Sequence, residues 1–171
     1  CLLTSLNYLN WKHGTSKSFR EPFRVKKGGT YMTFDPYETG LDALKTEYKS
    51  LDLCAEVYLA QANNAIGKEQ ETVALQLCDE AIRLYPGYRR INALKNLRED
   101  ILAPSLNVTA ATTAFPGEEI EIRASHKNLD GFTLRLYQAK KMIKEQHFAV
   151  LRPKDYRTQD TVFTLSLIHI S

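Results

Sequence analysis

Cysteine is scarce in this chain, and that scarcity excludes a good deal. Three cysteines in 171 residues cannot build a disulfide framework, because one is always left over. Cys54 and Cys78 lie on the apolar stripes of two expected helices, where a thiol serves as a small core group. Those helices should run antiparallel, so a bridge between the two cysteines is the alternative. Metal-ligand spacing is missing as well, with no Cys-x-x-Cys and no His-x-x-x-His, which leaves no zinc site. No apolar run approaches the ~18 residues that a membrane span needs. Charge of one sign is also lacking. Lys and Arg number 23 against 20 Asp and Glu, a net +3, too little to require nucleic acid or anionic lipid. Lys140, Lys141, Lys144, Arg152, Lys154 and Arg157 do gather, but Glu145 and Asp155 interrupt them, the pattern of a solvated face.

Catalytic patterns are absent too. There is no Gly-x-Ser-x-Gly nucleophile turn and no phosphate-binding glycine loop. His13, His126 and His147 fall on unrelated segments, and a lone surface His is ordinarily solvated. The adjacent Glu118 and Glu119 sit at an expected turn and need no catalytic role. The chain reads as a non-enzyme without cofactor or metal, whose partners are other proteins.

What is present is an ordinary globular composition, 43% hydrophobic and 25% charged, with length for one domain or two small ones. The expected fold class is α+β, helical hairpins followed by an antiparallel β-sandwich. Residues 1–38 hold a helix over 2–12, with Leu2, Leu6 and Leu9 on one side, and then an irregular connection containing Gly28-Gly29 and a short β-like piece at Thr30–Phe34. Cys1 is the residue type that carries lipid in mature bacterial lipoproteins, but such a tether is small and polar, whereas Leu2, Leu3, Leu6, Leu9, Tyr8 and Trp11 suit an amphipathic helix. Residues 39–103 form a helical region. Its first helix is expected to be capped within Thr39–Asp42 and to run to about Lys49, with Leu41, Leu44 and Tyr48 on one face. Helices over 52–66 and 70–85 follow, with Gly67 starting the turn between them. A last helix over 88–102 carries Ile91, Leu94, Leu97 and Ile101 as its apolar stripe.

Residues 104–164 alternate with period two and read as an incomplete β-sandwich. Strands are expected at 106–112, 118–125 and 132–137, with turns at Pro116-Gly117 and Asn128–Gly131. Lys140–Phe148 reads as a short helix or an ordered excursion, and 155–165 as another strand. The closing Leu165–Ser171 looks like the translation of a common transposase-based sequencing adapter, which would make it a tail outside the fold. The other reading is a true β-strand, since Val162–Ile170 is apolar and β-favouring.

The small residues of the helical region carry the first resemblance. Tyr58, Ala62, Ala74, Cys78, Ala81 and Pro86 are spaced as in the tetratricopeptide repeat, a helix–turn–helix unit of about 34 residues. Methyl side chains let two helix backbones approach closely. Cys78 stands where the repeat usually has an aromatic, and Ala65 where it usually has Tyr.

The order of parts carries the second resemblance. Helical repeats, then Ile101-Leu-Ala-Pro-Ser-Leu-Asn-Val108, a Phe115-Pro-Gly-Glu118 turn and a strand pair around Ala124-Ser-His-Lys-Asn128 resemble the bacterial alpha-2-macroglobulin family, best over residues 50–138. The resemblance implies a long protein of the bacterial cell envelope, in the periplasm, that traps proteases when a bait segment is cleaved. Some members carry a Cys-x-Glu-Gln thioester; none of Cys1, Cys54 and Cys78 is followed by that pattern, and no bait segment is identifiable. This chain would hold scaffold only, meeting proteases through its parent. The other functional reading is a repeat-type adaptor that binds a peptide or protein in its helical groove, with Asn63, Asn64 and Lys68 available there.

Overall fold

The computed structural model describes residues 1–110, 119–138, 140–150 and 155–166. The chain is α+β with antiparallel sheets, and it divides into two compact units, Cys1–Arg98 and Glu99–Ser171.

The first unit is built on helices. Helix α1 covers Leu2–Thr15 and buries Leu2 and Leu6, with Leu9 packed against the same cluster. A short α2, Lys17–Arg20, follows. The segment expected to be irregular then forms a hairpin, β1 Phe23–Lys27 and β2 Thr30–Phe34, paired antiparallel through every residue. Gly28 and Gly29 make its turn with φ of 58° and 85°. Positive φ at both central residues is the turn whose twist matches two paired strands, and glycine adopts it without steric cost.

Helix α3 runs over Pro36–Glu47. It begins earlier than the Thr39–Asp42 cap expected from sequence, because Asp35 is the cap. One Asp35 oxygen accepts from the backbone N–H groups of Tyr37 and Glu38, both at 3.0 Å. Pro36 at the first helical position needs no partner for an N–H it does not have. Leu2, Leu6, Tyr37, Leu41, Leu44 and Val57 form one buried cluster.

After a single 3-10 turn at Asp52–Cys54, α4 covers Ala55–Gly67 and α5 covers Glu71–Leu84. Gly67 is the last residue of α4 rather than the start of the turn. The left-handed position falls on Glu69, with φ of 58°, and the N–H groups of Lys68 and Gln70 both donate to Ala65 O, closing the carbonyls that the helix end leaves open. Helix α6 covers Ile91–Leu102; Ile91, Leu94 and Ile101 are buried along its apolar stripe.

Among the described residues the second unit holds five strands. A three-stranded sheet has the order β3 (Ser105–Ala110), β4 (Glu119–Lys127), β7 (Gln159–Ser166). A two-stranded sheet pairs β5 (Gly131–Gln138) with β6 (Lys141–Ala149). Alternation on β4 is as expected: Ile122 and Ala124 are buried while Glu119, Glu121 and Arg123 are exposed. Ala124 and Phe163 from the larger sheet meet Phe132 and Phe148 from the smaller in one cluster. The ring centroids of Phe148 and Phe163 lie 4.2 Å apart. Two sequence expectations change here. Residues 141–149 are strand β6, neither helix nor excursion, and β7 runs on through Leu165 and Ser166, opposite Ile120 and Glu119. The Pro116-Gly117 turn, the Phe115–Glu118 motif, Arg152, Lys154 and Leu167–Ser171 lie outside the described residues.

Gly131 is also present for a different reason from the one expected. Positive φ in its turn belongs to Asn128, at 54°. At Gly131 the constraint is space, since a Cβ there would lie 2.7 Å from the Phe148 carbonyl oxygen.

Candidate interaction cleft

The repeat positions occupy the interior of the α4–α5 hairpin. Ala62, Ala74, Cys78 and Ala81 are fully buried and Tyr58 nearly so; Ala65 is buried among them. Pro86 is exposed in the turn after α5. Small side chains at these places let the two helices lie close.

Cys54 and Cys78 are both free and buried, so the thiols are core groups and the bridge does not form. Burial pushes the Cys78 thiol up to about 11, with Asp79 adding to it and Arg98 opposing it. Burial also raises the Cys54 thiol, against hydrogen bonding from Tyr85 and the charge of Lys45. Thiols held protonated at neutral pH are poor nucleophiles and poor metal ligands. Among the described residues no group of three His, Cys, Asp or Glu side chains is arranged to hold a metal ion.

A cleft of about 780 Å³ opens beside the hairpin and is lined by Asp42, Lys45, Lys49, Tyr58, Leu84 and Tyr85 among others. Helix α3 supplies Lys45, and the turn after it supplies Lys49. Both lysines line the cleft. Lys45 Nζ lies 4.1 Å from the Tyr58 ring centroid and 3.7 Å from Glu80 Oε2, a cation–π contact and an ion pair on one ammonium. Tyr58 and Tyr85 meet edge to face at 5.8 Å. The Tyr85 hydroxyl donates to Lys49 O at 2.9 Å. Burial, with contributions from Cys54 and then Glu80, pushes the Tyr85 phenol up to about 12. Burial and Glu80 raise Tyr58 further still. Both rings are therefore neutral floor, with the Lys49 ammonium exposed at the edge. Such a cleft can seat an apolar side chain and meet a carboxylate. It offers no activated nucleophile.

Asn63, Asn64 and Lys68, expected from sequence to be available for a partner, are engaged within the chain. Lys68 Nζ lies 2.6 Å from Asp35 Oδ2 and 2.9 Å from Glu38 Oε1. Asn64 donates to Glu38 Oε1 at 3.1 Å, and Asn63 to Leu59 O at 2.9 Å. Asn64 and Lys68 tie the end of α4 to the start of α3, while the Asn63 bond stays within α4. The histidines are dispersed, as read from sequence, but they are not simply solvated. His13 stacks on Tyr37 at 4.1 Å, and its pKa is lowered by burial first, with Arg20 and Lys68 adding and Asp35 opposing. His126 is fully buried, with Nε2 2.9 Å from Thr161 Oγ1. His147 Nδ1 lies 3.1 Å from Thr133 Oγ1. Lys45, Lys49 and Tyr85 were not singled out from sequence. No sequence pattern marks them, because the cleft forms only once the end of α5 places Tyr85 beside Lys49.

Compared with known proteins, the chain matches no protein-family model, no curated protein and no solved structure.

Proposed function

We propose that this chain is a non-catalytic scaffold, the helical entry and first β-sandwich of a bacterial alpha-2-macroglobulin-like, protease-trapping protein of the periplasm. The observation that carries the reading is the order of parts. A hairpin of tetratricopeptide type, with Ala62, Ala74, Cys78 and Ala81 inside, is followed by α6. Only Ala103 and Pro104 then separate α6 from β3. The sandwich part is supported by the phenylalanine cluster that joins the three-stranded and two-stranded sheets. The Asn128 side chain, at the β4–β5 turn, donates to Ile101 O at 2.9 Å and to Ala103 O at 3.3 Å, capping carbonyls that the helix end leaves without a partner. The coding sequence that flanks this segment tests the reading. Several further sandwich domains downstream are expected; a stop codon directly after the last strand would contradict it.

A second reading, a repeat-type adaptor with an accessory β domain, is favoured by the cleft. An aromatic floor beside the exposed Lys49 suits a peptide that carries an apolar side chain next to a carboxylate. Titration of labelled peptides of that kind would separate the two readings. The adaptor requires saturable binding that Lys49→Glu abolishes, and under the scaffold reading Lys49→Glu changes nothing.

A further inference from the structure

The β1–β2 hairpin stands apart from the rest of the helical unit. Every residue of both strands is exposed, and among the described residues the strands pair only with each other. A two-stranded hairpin on its own is at best marginally stable in water, and a third strand or a packed helix is what normally sustains it. Its outer edges present backbone N–H and C=O groups without strand partners.

The two faces differ in chemistry. Side chains alternate across a strand, and the register sets Phe23 opposite Phe34 and Val25 opposite Met32 on one face. The Phe23 and Phe34 rings lie 5.2 Å apart. The other face sets Arg24 opposite Thr33 and Lys26 opposite Tyr31, with the Lys26 ammonium 5.7 Å from the Tyr31 ring centroid. All the charge is on β1, in Arg24, Lys26 and Lys27, while β2 carries none. Neither Arg24 nor Lys26 has an ion-pair partner among the described residues.

We propose that the β1 edge takes up an extended segment of a partner protein in which acidic and apolar residues alternate. A strand added there would set its acidic side chains beside Arg24 and Lys26 and its apolar ones beside Phe23 and Val25. Opposite charges and apolar pairs across strands are the interactions that stabilise a sheet, and strand addition supplies backbone bonds as well. Lysine on an edge strand normally repels strand partners. The same charges admit one class of strand, the acidic one, and so act as a selector. A second copy of β1 is the wrong occupant, because antiparallel pairing about Val25 would set Arg24 against Lys26. A bilayer suits the geometry poorly as well: it would take the apolar face and leave Arg24 and Lys26 pointing away from the headgroups.

The test uses the full chain and synthetic octapeptides alternating Glu and Val, with binding read by fluorescence anisotropy. Saturable binding is expected. It should weaken roughly tenfold in the Arg24→Glu/Lys26→Glu double variant, from two cross-strand pairs turned repulsive. A Lys–Val peptide should bind that variant and not the original chain, a charge swap that a misfolded variant could not produce. A peptide N-methylated along its backbone should not bind. Equal binding of a block peptide with the same composition, indifference to the double variant, or binding only to phosphatidylserine vesicles would each overturn the proposal.

Discussion

At the scale of single residues, the helical hairpin depends on side chains that are small. Ala62 and Ala74 have no exposed surface, and a larger group at either place must displace packed neighbours. Ala62→Leu and Ala74→Leu are each expected to cost roughly 1–3 kcal/mol, read as a lowered denaturation midpoint; two unchanged midpoints would show that the helices are not held at close approach there. Gly131 makes the same point in the sheets. Its missing Cβ would sit 2.7 Å from Phe148 O and 3.0 Å from the His147 ring, so Gly131→Ala should destabilise by a similar ~1–3 kcal/mol through overpacking. Urea unfolding of the full chain would measure it, and a neutral result would mean that β5 and β6 can move apart without cost. The alanines were legible in the sequence because their spacing alone marks close approach. The role of Gly131 was not, since sequence shows a glycine but not whether conformation or space requires it.

At the scale of elements, boundaries follow caps and pairing more than hydrophobic pattern. Helix α3 starts where Asp35 accepts two backbone N–H groups, and Asp35 also holds Lys68. Burial alone would raise the Asp35 carboxyl. The Lys68 hydrogen bond, the Glu38 and Tyr37 N–H groups and the Lys68 charge together outweigh it and hold the pKa below its ordinary value. The unfolded carboxyl titrates near ~3.9. The stabilisation is therefore fully present above that pH, and it is lost as pH falls through the lower folded pKa. Asp35→Asn keeps a competent cap but removes the charge that Lys68 meets. Its unfolding midpoint should change less than the parent's between about pH 4 and pH 2, and equal acid sensitivity in the two would discount this carboxylate.

Strand β6 was hidden from sequence reading by a related effect. Its pairing with β5 carries a register shift between Leu136 and Tyr137, and an extra residue at such a bulge breaks the period-two pattern. The β1–β2 hairpin does leave a mark in the sequence. Gly28-Gly29 between Phe23-x-Val25 and Met32-x-Phe34 is a hairpin signal. It was obscured because both strands expose their apolar side chains, so no buried face announces them.

At the scale of the whole molecule, the scaffold proposal rests on what the described side chains do. The buried thiols stay protonated, the histidines pack or bond locally, and the cleft beside the hairpin has a neutral aromatic floor. No helix among the described residues is long and apolar enough to cross a membrane. The α-then-β order was legible because the hydrophobic period changes sharply near Pro104. The cleft was not, because it forms only where α3, α4 and α5 come together. The central claim is that this chain is scaffold without a trap of its own. The most direct measurement is to mix the purified chain with proteases of several mechanistic classes and look for a stable complex, covalent or not. Digestion or indifference is expected, with the proteases keeping full activity toward large substrates. Stoichiometric capture with loss of that activity would contradict the account.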